Sequence, residues 1–245
     1  MRFSETQILA RMRKRGVLEL INRLLGRDGI SGIKISVVEC LERIGSDYGG
    51  WIIPSHLIDE NSICYCAGVG EDVTFDLGLI GRFNCTVFAY DPTPRAIQYV
   101  RREVPEEPRF DFYPIGLWDR EETVRFYAPS NPDHVSYSAL NLQRTDEYFE
   151  AECKRLSSIM RENRHDRIDL LKLDIEGAEY RVIDSIVKDG LDIRIICVEY
   201  DEAFHPLDAA YKRRIRESVH KLVKHGYRLV AVDRVCNYTF VRRTW

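Results

Sequence analysis

Two segments constrain this chain more than anything else in it: Ile63-Cys-Tyr-Cys-Ala-Gly-Val-Gly70, and the Tyr90-Asp-Pro-Thr-Pro94 that follows it. An apolar run meets a glycine turn, and a second apolar run ends on an acid. That pair builds a nucleotide cradle. The glycines let the backbone approach a ligand, and a carboxylate closing the second strand can accept from both ribose hydroxyls. Sites for NAD, FAD and S-adenosylmethionine (SAM) share the arrangement, so the remainder of the chain must choose among them.

From Ser62 onward, strand-like and helix-like segments alternate, the pattern of a doubly wound α/β sheet. Strands are predicted over 62–67, 85–90, 109–114, 168–173 and 193–200. Helices are predicted over 71–80, 93–103, 156–164, 178–188 and 208–224. An extra strand at 123–127 should run antiparallel, 149–154 could be another, and the polar, turn-rich 128–148 reads as a loop. Two last strands, 227–233 and 236–242, are joined by so little chain that they must be antiparallel. A dinucleotide fold would close with another parallel strand. A mostly parallel, Rossmann-like seven-strand sheet whose last strand is antiparallel is instead the layout of class I SAM-dependent methyltransferases.

Upstream, 4–26 reads as one or two amphipathic helices carrying Arg11, Arg13, Lys14 and Arg15, and 33–44 as a further short helix. The basic helices fit either a cap packed on the core or a surface for a partner or membrane. The expected organisation is an N-terminal helical cap, 1–45, and a SAM-binding domain, 46–245. The cap could also support a homo-oligomer. A net charge of −3 argues against a dedicated nucleic-acid binder. Seven cysteines, none in a Cys-x-x-Cys pair, point to a reducing compartment, taken as the cytoplasm, and away from a zinc site. No apolar run approaches the ~20 residues that span a bilayer.

Gly68-Val-Gly-Glu-Asp-Val-Thr-Phe-Asp76, Ala89-Tyr-Asp-Pro-Thr-Pro94 and Leu171-Lys-Leu-Asp-Ile-Glu-Gly-Ala-Glu179 together resemble the FkbM family of SAM-dependent methyltransferases. So does the ending, Gly226-Tyr-Arg-Leu with Asn237-Tyr-Thr-Phe-Val241. The resemblance implies methylation of a hydroxyl on a sugar or polyketide-type small molecule. It also implies cofactor contacts at Ala67, Gly68, Gly70, Asp91, Gly116, Leu117, Trp118 and Asp174. The general pattern of acid-x-Gly-x-Gly-x-Gly falls on Cys64, Cys66, Gly68 and Gly70. Another carboxylate must therefore hold the methionine ammonium, with Asp174 the candidate and Glu71 the reserve. Cys66 must keep a negative φ.

Open α/β sheets bind ligands beyond the carboxyl ends of their strands. Asp174, Glu176, Glu199 and His205 are therefore the candidates for positioning an acceptor and taking its proton. Magnesium could be bridged by Asp174, Glu199 or Asp201. Each residue has a plainer reading. Asp91 could cap the next helix, Trp118 could be core, and His205 could be a loop residue. Glu176 and Glu179 could simply favour a helix N-terminus. The 128–148 loop, with His134 and Ser138, could be a lid or ordinary surface. Two other functions compete: an NAD(P)-linked oxidoreductase, against which stands the missing Tyr-x-x-x-Lys pair, and a non-catalytic binding module.

Overall fold

A computed structural model describes residues 20–243, apart from 23, 105, 132–133 and 234–235. Most of the helical reading of 4–26 lies outside the described residues. Its end, 20–22, is helical, and Gly26 turns the chain out with φ +65°.

The helix expected over 33–44 does not form. Ile33, Ile35 and Val37 alternate with polar residues, which is an extended pattern. Ser36 N donates to Leu229 O at 2.8 Å, and Ile33 and Ile35 pack on the core while Val37 stays exposed. Cys40, at φ +53°, then turns the chain into strand β1 (Leu41–Ile44). β1 pairs antiparallel with β2 (Trp51–Pro54), and this hairpin buries Ile44, Trp51 and Ile53.

The alternation follows. Strand β3 (Ile63–Ala67) leads to helix α1 (Thr74–Phe83), β4 (Thr86–Tyr90) to α2 (Pro94–Glu103), and then β5 (Phe110–Tyr113). α1 starts three residues later than expected because Asp72 Oδ1 accepts Thr74 N at 2.8 Å, an Asx turn that keeps Glu71 and Asp72 out of the helix. A small sheet comes next, from β6 (Gly116–Trp118), β7 (Glu122–Tyr127) and β8 (Tyr148–Arg155). β7 is antiparallel to β8, as expected, whereas β6 was not foreseen.

Helix α3 (Leu156–Glu162), β9 (Ile168–Leu173), α4 (Glu179–Asp189), β10 (Ile193–Glu199), α5 (Tyr211–Lys224), β11 (Tyr227–Val232) and β12 (Asn237–Arg242) complete the chain. The central sheet has the order β11-β12-β10-β9-β3-β4-β5. β3, β4, β5, β9 and β10 are parallel, and β12 runs antiparallel between β10 and β11.

Period-two alternation sends neighbouring side chains to opposite faces. Tyr65, Ala67, Ile196 and Val198 face α3, α4 and α5; Cys64, Cys66, Ile195 and Cys197 face α1 and the β1–β2 hairpin. Val182, Ile183 and Ile186 anchor α4, each contributing about 1.5–3 kcal/mol by burial. Cys64, Cys66, Cys85, Cys153 and Cys197 are buried thiols that pack as small apolar side chains. With both faces covered, ligands can approach only at the carboxyl ends of the parallel strands.

Candidate functional site

At the end of β3, Gly68 N donates to Tyr90 O at 2.9 Å, and Gly68 and Gly70 adopt φ +87° and +56°. A Cβ on Gly68 would lie 1.7 Å from Asp174 O, so the turns after β3 and β9 pass too closely for any other residue. Cys66 is absent from the positive-φ residues and packs into the core, as the sequence required.

Asp91 holds this turn from the end of β4. Its Oδ2 accepts Val69 N and Gly70 N, both at 2.9 Å, and its Oδ1 accepts Thr93 N at 2.8 Å and Thr93 Oγ1 at 2.7 Å. Thr93, not Asp91, is the N-cap of α2. Four donors already occupy the two oxygens, so a ribose hydroxyl arriving here must share one of them.

The turn after β9 is built differently. Lys172 is buried mid-strand, donates to Gly68 O, and lies 3.1 Å from Asp174 Oδ2. Burial pushes its pKa down, but Asp174 and Asp76 outweigh that and hold it above the ordinary lysine value. Asp76, on α1, is fully buried with no hydrogen bond to either carboxylate oxygen; burial lifts it to about 6 against the pull of Lys172. Beyond Asp174, Glu176 takes a left-handed backbone, φ +52°, and Gly177 φ +100°. Glu179 Oε1 accepts Ile175 N at 3.1 Å and Gly177 N at 3.0 Å, and Ser138 Oγ donates to Glu176 O at 2.5 Å. Glu179 thus holds the shape of this turn.

Carboxylate oxygens of Asp174, Glu176 and Asp201 all lie within 4.8 Å of one another. Burial, then mutual repulsion, raises Glu176 to about 8, Glu199 to about 10 and Asp201 well above its ordinary range. Burial also raises Glu179 to about 7.

A cavity of about 820 Å³, mouth included, opens between the two turns. The glycine turn forms one wall, and Leu117, Phe126, Ile175 and Ala178 form an apolar one. Lys172, Asp174 and Glu176 charge one side, Glu71, Asp72 and Asp91 the other, and Tyr48, Gly49 and Val135–Tyr137 border it. Of the expected cofactor residues, Gly68, Gly70, Asp91, Gly116, Leu117 and Asp174 line it. Ala67 and Trp118 do not. Ala67 O accepts Asp174 N at 3.1 Å. Trp118 packs with Val124, Phe126 and Cys153, and its Nε1 donates to Glu122 Oε1 at 2.6 Å.

Of the expected catalytic residues, Asp174 and Glu176 reach the cavity. Glu199 is outside the lining, near enough to Asp174 for that charge to add to burial in raising its pKa, and His205 is exposed outside the lining. Glu71, the reserve partner for the ammonium, lines the cavity and is ion-paired to Arg95 at 2.9 Å. The loop 128–148 contributes Val135, Ser136 and Tyr137 to the wall, while Ser138 braces the Glu176 backbone instead of facing the cavity. Sequence reasoning passed over Lys172, Asp76, Asp72 and Tyr48. Lys172 carried a usable signal: a cation inside a largely apolar parallel strand is expensive unless paired.

The family profile described as "Methyltransferase FkbM domain" matches residues 47–229, most of the chain. The chain belongs to the FkbM methyltransferase family. It is a SAM-dependent methyltransferase, and the NAD(P)-linked alternative is set aside. SAM fits what the residues build, because a glycine turn that no Cβ could enter faces both an apolar wall and acids.

Solved structures that align with the chain include the Methanococcus jannaschii fibrillarin pre-rRNA processing protein, at 10% identity and TM-score 0.45, covering 86% of each chain. Aeropyrum pernix fibrillarin, solved with natively bound SAM, is 9% identical at TM-score 0.42, covering 84% of this chain and 83% of its own. Human methyltransferase 10 domain containing protein is 10% identical at TM-score 0.43, covering 96% and 98%. At these distances the likeness says nothing about the acceptor. None of the curated proteins compared with the chain matches it. Among the described residues, no helix is long and apolar enough to cross a membrane.

Proposed function

We propose that this FkbM-family methyltransferase methylates a hydroxyl oxygen of a sugar or polyketide-type small molecule, with Glu176 as the proton acceptor. The supporting observation is that the glycine turn and the two carboxylates of the turn after β9, Asp174 and Glu176, line one cavity. When bound, SAM supplies a methyl group on a sulfonium, an electrophile that carries its own leaving group. Gly68, Gly70 and Asp91 shape the turn that receives the nucleoside, and Leu117 with Phe126 offers the adenine an apolar face. Asp174 stands in for the acid missing at Cys64 and is the partner for the methionine ammonium.

Alignment of the acceptor oxygen contributes most of the rate, and removal of its proton contributes the rest. Glu176 is raised to about 8 in the empty protein, so at neutral pH it is largely protonated. A cationic ligand in the cavity draws that pKa down and ionises Glu176 when a base is needed. SAM affinity should therefore rise between about pH 6 and pH 9, with proton release on binding. Calorimetry in buffers of differing ionisation enthalpy measures this. Binding that releases no proton would remove Glu176 from the role. A panel of sugars and natural-product alcohols, assayed with methyl-labelled SAM, tests the acceptor class.

A further inference from the structure

We infer that Asp174, Glu176 and Asp201 form a site for one hard divalent cation at the inner end of the cavity. The ion's use, though not its existence, rests on the methyl-transfer reading; the ion ionises Glu176 through one oxygen and leaves the other to take the acceptor's proton. Three carboxylate oxygens lie within 4.8 Å of one another. Opposite ligands of a magnesium ion stand about 4.2 Å apart, and those of calcium about 5 Å, so the spacing suits a single ion. All donors are carboxylate oxygens, which select magnesium, manganese or calcium over zinc.

A second observation points to a ligand. Asp201 is 6% exposed, and its Oδ2 has no hydrogen-bond partner. Glu179, fully buried, likewise leaves Oε2 without one. A desolvated carboxylate oxygen with neither donor nor counter-charge is strongly disfavoured. The contrast with Glu202, the next residue, is direct. It is 1% exposed, yet Arg214 clamps it, with Nε 2.6 Å from Oε2. Near the cluster the described residues bring Lys172, which is committed to Asp174 Oδ2 and Gly68 O. One ammonium leaves Asp174, Glu176, Glu179, Glu199 and Asp201 to be completed by protons or by a cation, and a divalent ion displaces those protons.

The set differs from that expected from sequence, with Glu176 in place of Glu199, because the left-handed backbone at Glu176 brings its carboxylate back to Asp174. Asp174 and Glu176 line the cavity and Asp201 does not. The ion is thus held from behind and leaves coordination positions open in front. An acceptor with two neighbouring oxygen donors, such as a vicinal diol, fits those positions.

The test uses the full chain, stripped with EDTA and titrated with Mn²⁺, with free Mn²⁺ read by electron paramagnetic resonance and Mg²⁺ and Ca²⁺ as competitors. One saturable ion per chain is expected. Asp201→Asn should weaken it about tenfold or more. S-adenosylhomocysteine affinity, measured on the same samples, should stay within about twofold. Should Asp201→Asn fail to fold, Glu176→Gln, at the cavity wall, carries the same expectation for Mn²⁺. Absence of saturable Mn²⁺ binding, or binding unchanged in both variants, overturns the site. S-adenosylhomocysteine bound without Mn²⁺ overturns the cation site and leaves the methyl-transfer reading standing. Mn²⁺ bound and lost in Asp201→Asn, with no nucleoside binding, does the reverse.

Discussion

Asp91 and Asp201 are both buried aspartates at the carboxyl ends of parallel strands, yet their surroundings are opposite. Asp91 accepts four hydrogen bonds, two from the glycine turn and two from Thr93. Asp201 leaves one oxygen without a donor, among acids that repel it. The β3–β4 side is finished by the chain itself. The β9–β10 side stores charge that protons, a cation or a bound ligand must complete. A site that must hold one constant ligand can be preorganised, whereas a site that must move a proton gains from groups whose charge is unsettled.

The largest effect that would break this comparison is expected at Gly68. Gly68→Ala forces a Cβ into the Asp174 carbonyl at a positive φ, and should cost about 3 kcal/mol or more of stability together with all nucleoside binding. Thermal melting and S-adenosylhomocysteine titration read both. A variant that melts and binds as the parent does would show that the two turns do not meet as described.

Asp91→Ala removes the acceptor of both turn amides and should weaken S-adenosylhomocysteine about 100-fold or more. Retained affinity would mean that the turn is held by something else. On the other side, Glu176→Gln should lower turnover about 100-fold while moving nucleoside affinity less than about threefold. Loss of binding with turnover per bound cofactor unchanged would turn Glu176 into a cofactor ligand.

A subtler expectation concerns pH. Glu179, Glu176 and Glu199 are raised from 4.5 to about 7, 8 and 10, so the folded, empty protein holds protons that the unfolded chain releases. Their stabilising contribution is complete below the ordinary glutamate range and is lost as pH rises through those values. The melting temperature should therefore fall from pH 5.5 to 8.5, and Glu199→Gln should flatten the decline. A melting temperature that rises over that interval would contradict the raised values. The smallest effect is expected for His205→Ala, within about twofold in turnover, because His205 is exposed and outside the cavity lining.

The sheet and its closing hairpin were legible because period-two apolar runs, glycine stops and connection length act locally. In 33–44 the strand-like alternation of Ile33, Ile35 and Val37 prevails over the helical reading because Ser36 N donates to Leu229 O and Ile33 and Ile35 pack on the core. Gly68, Gly70, Asp91, Asp174 and Glu176 could be named from strand ends. Trp118 could not be placed, since an aromatic beside a cofactor and one in the core look alike in one dimension. Asp76 lies in the first turn of α1, and nothing local announces that it comes within electrostatic reach of Lys172 on β9.

Titration of the purified chain with S-adenosylhomocysteine, with NAD and NADP in parallel, tests the central claim most directly. Saturable micromolar binding of S-adenosylhomocysteine alone, abolished by Asp91→Ala, is the result expected. Binding of NAD or NADP in its place, or of no nucleotide by a folded protein, would contradict the account.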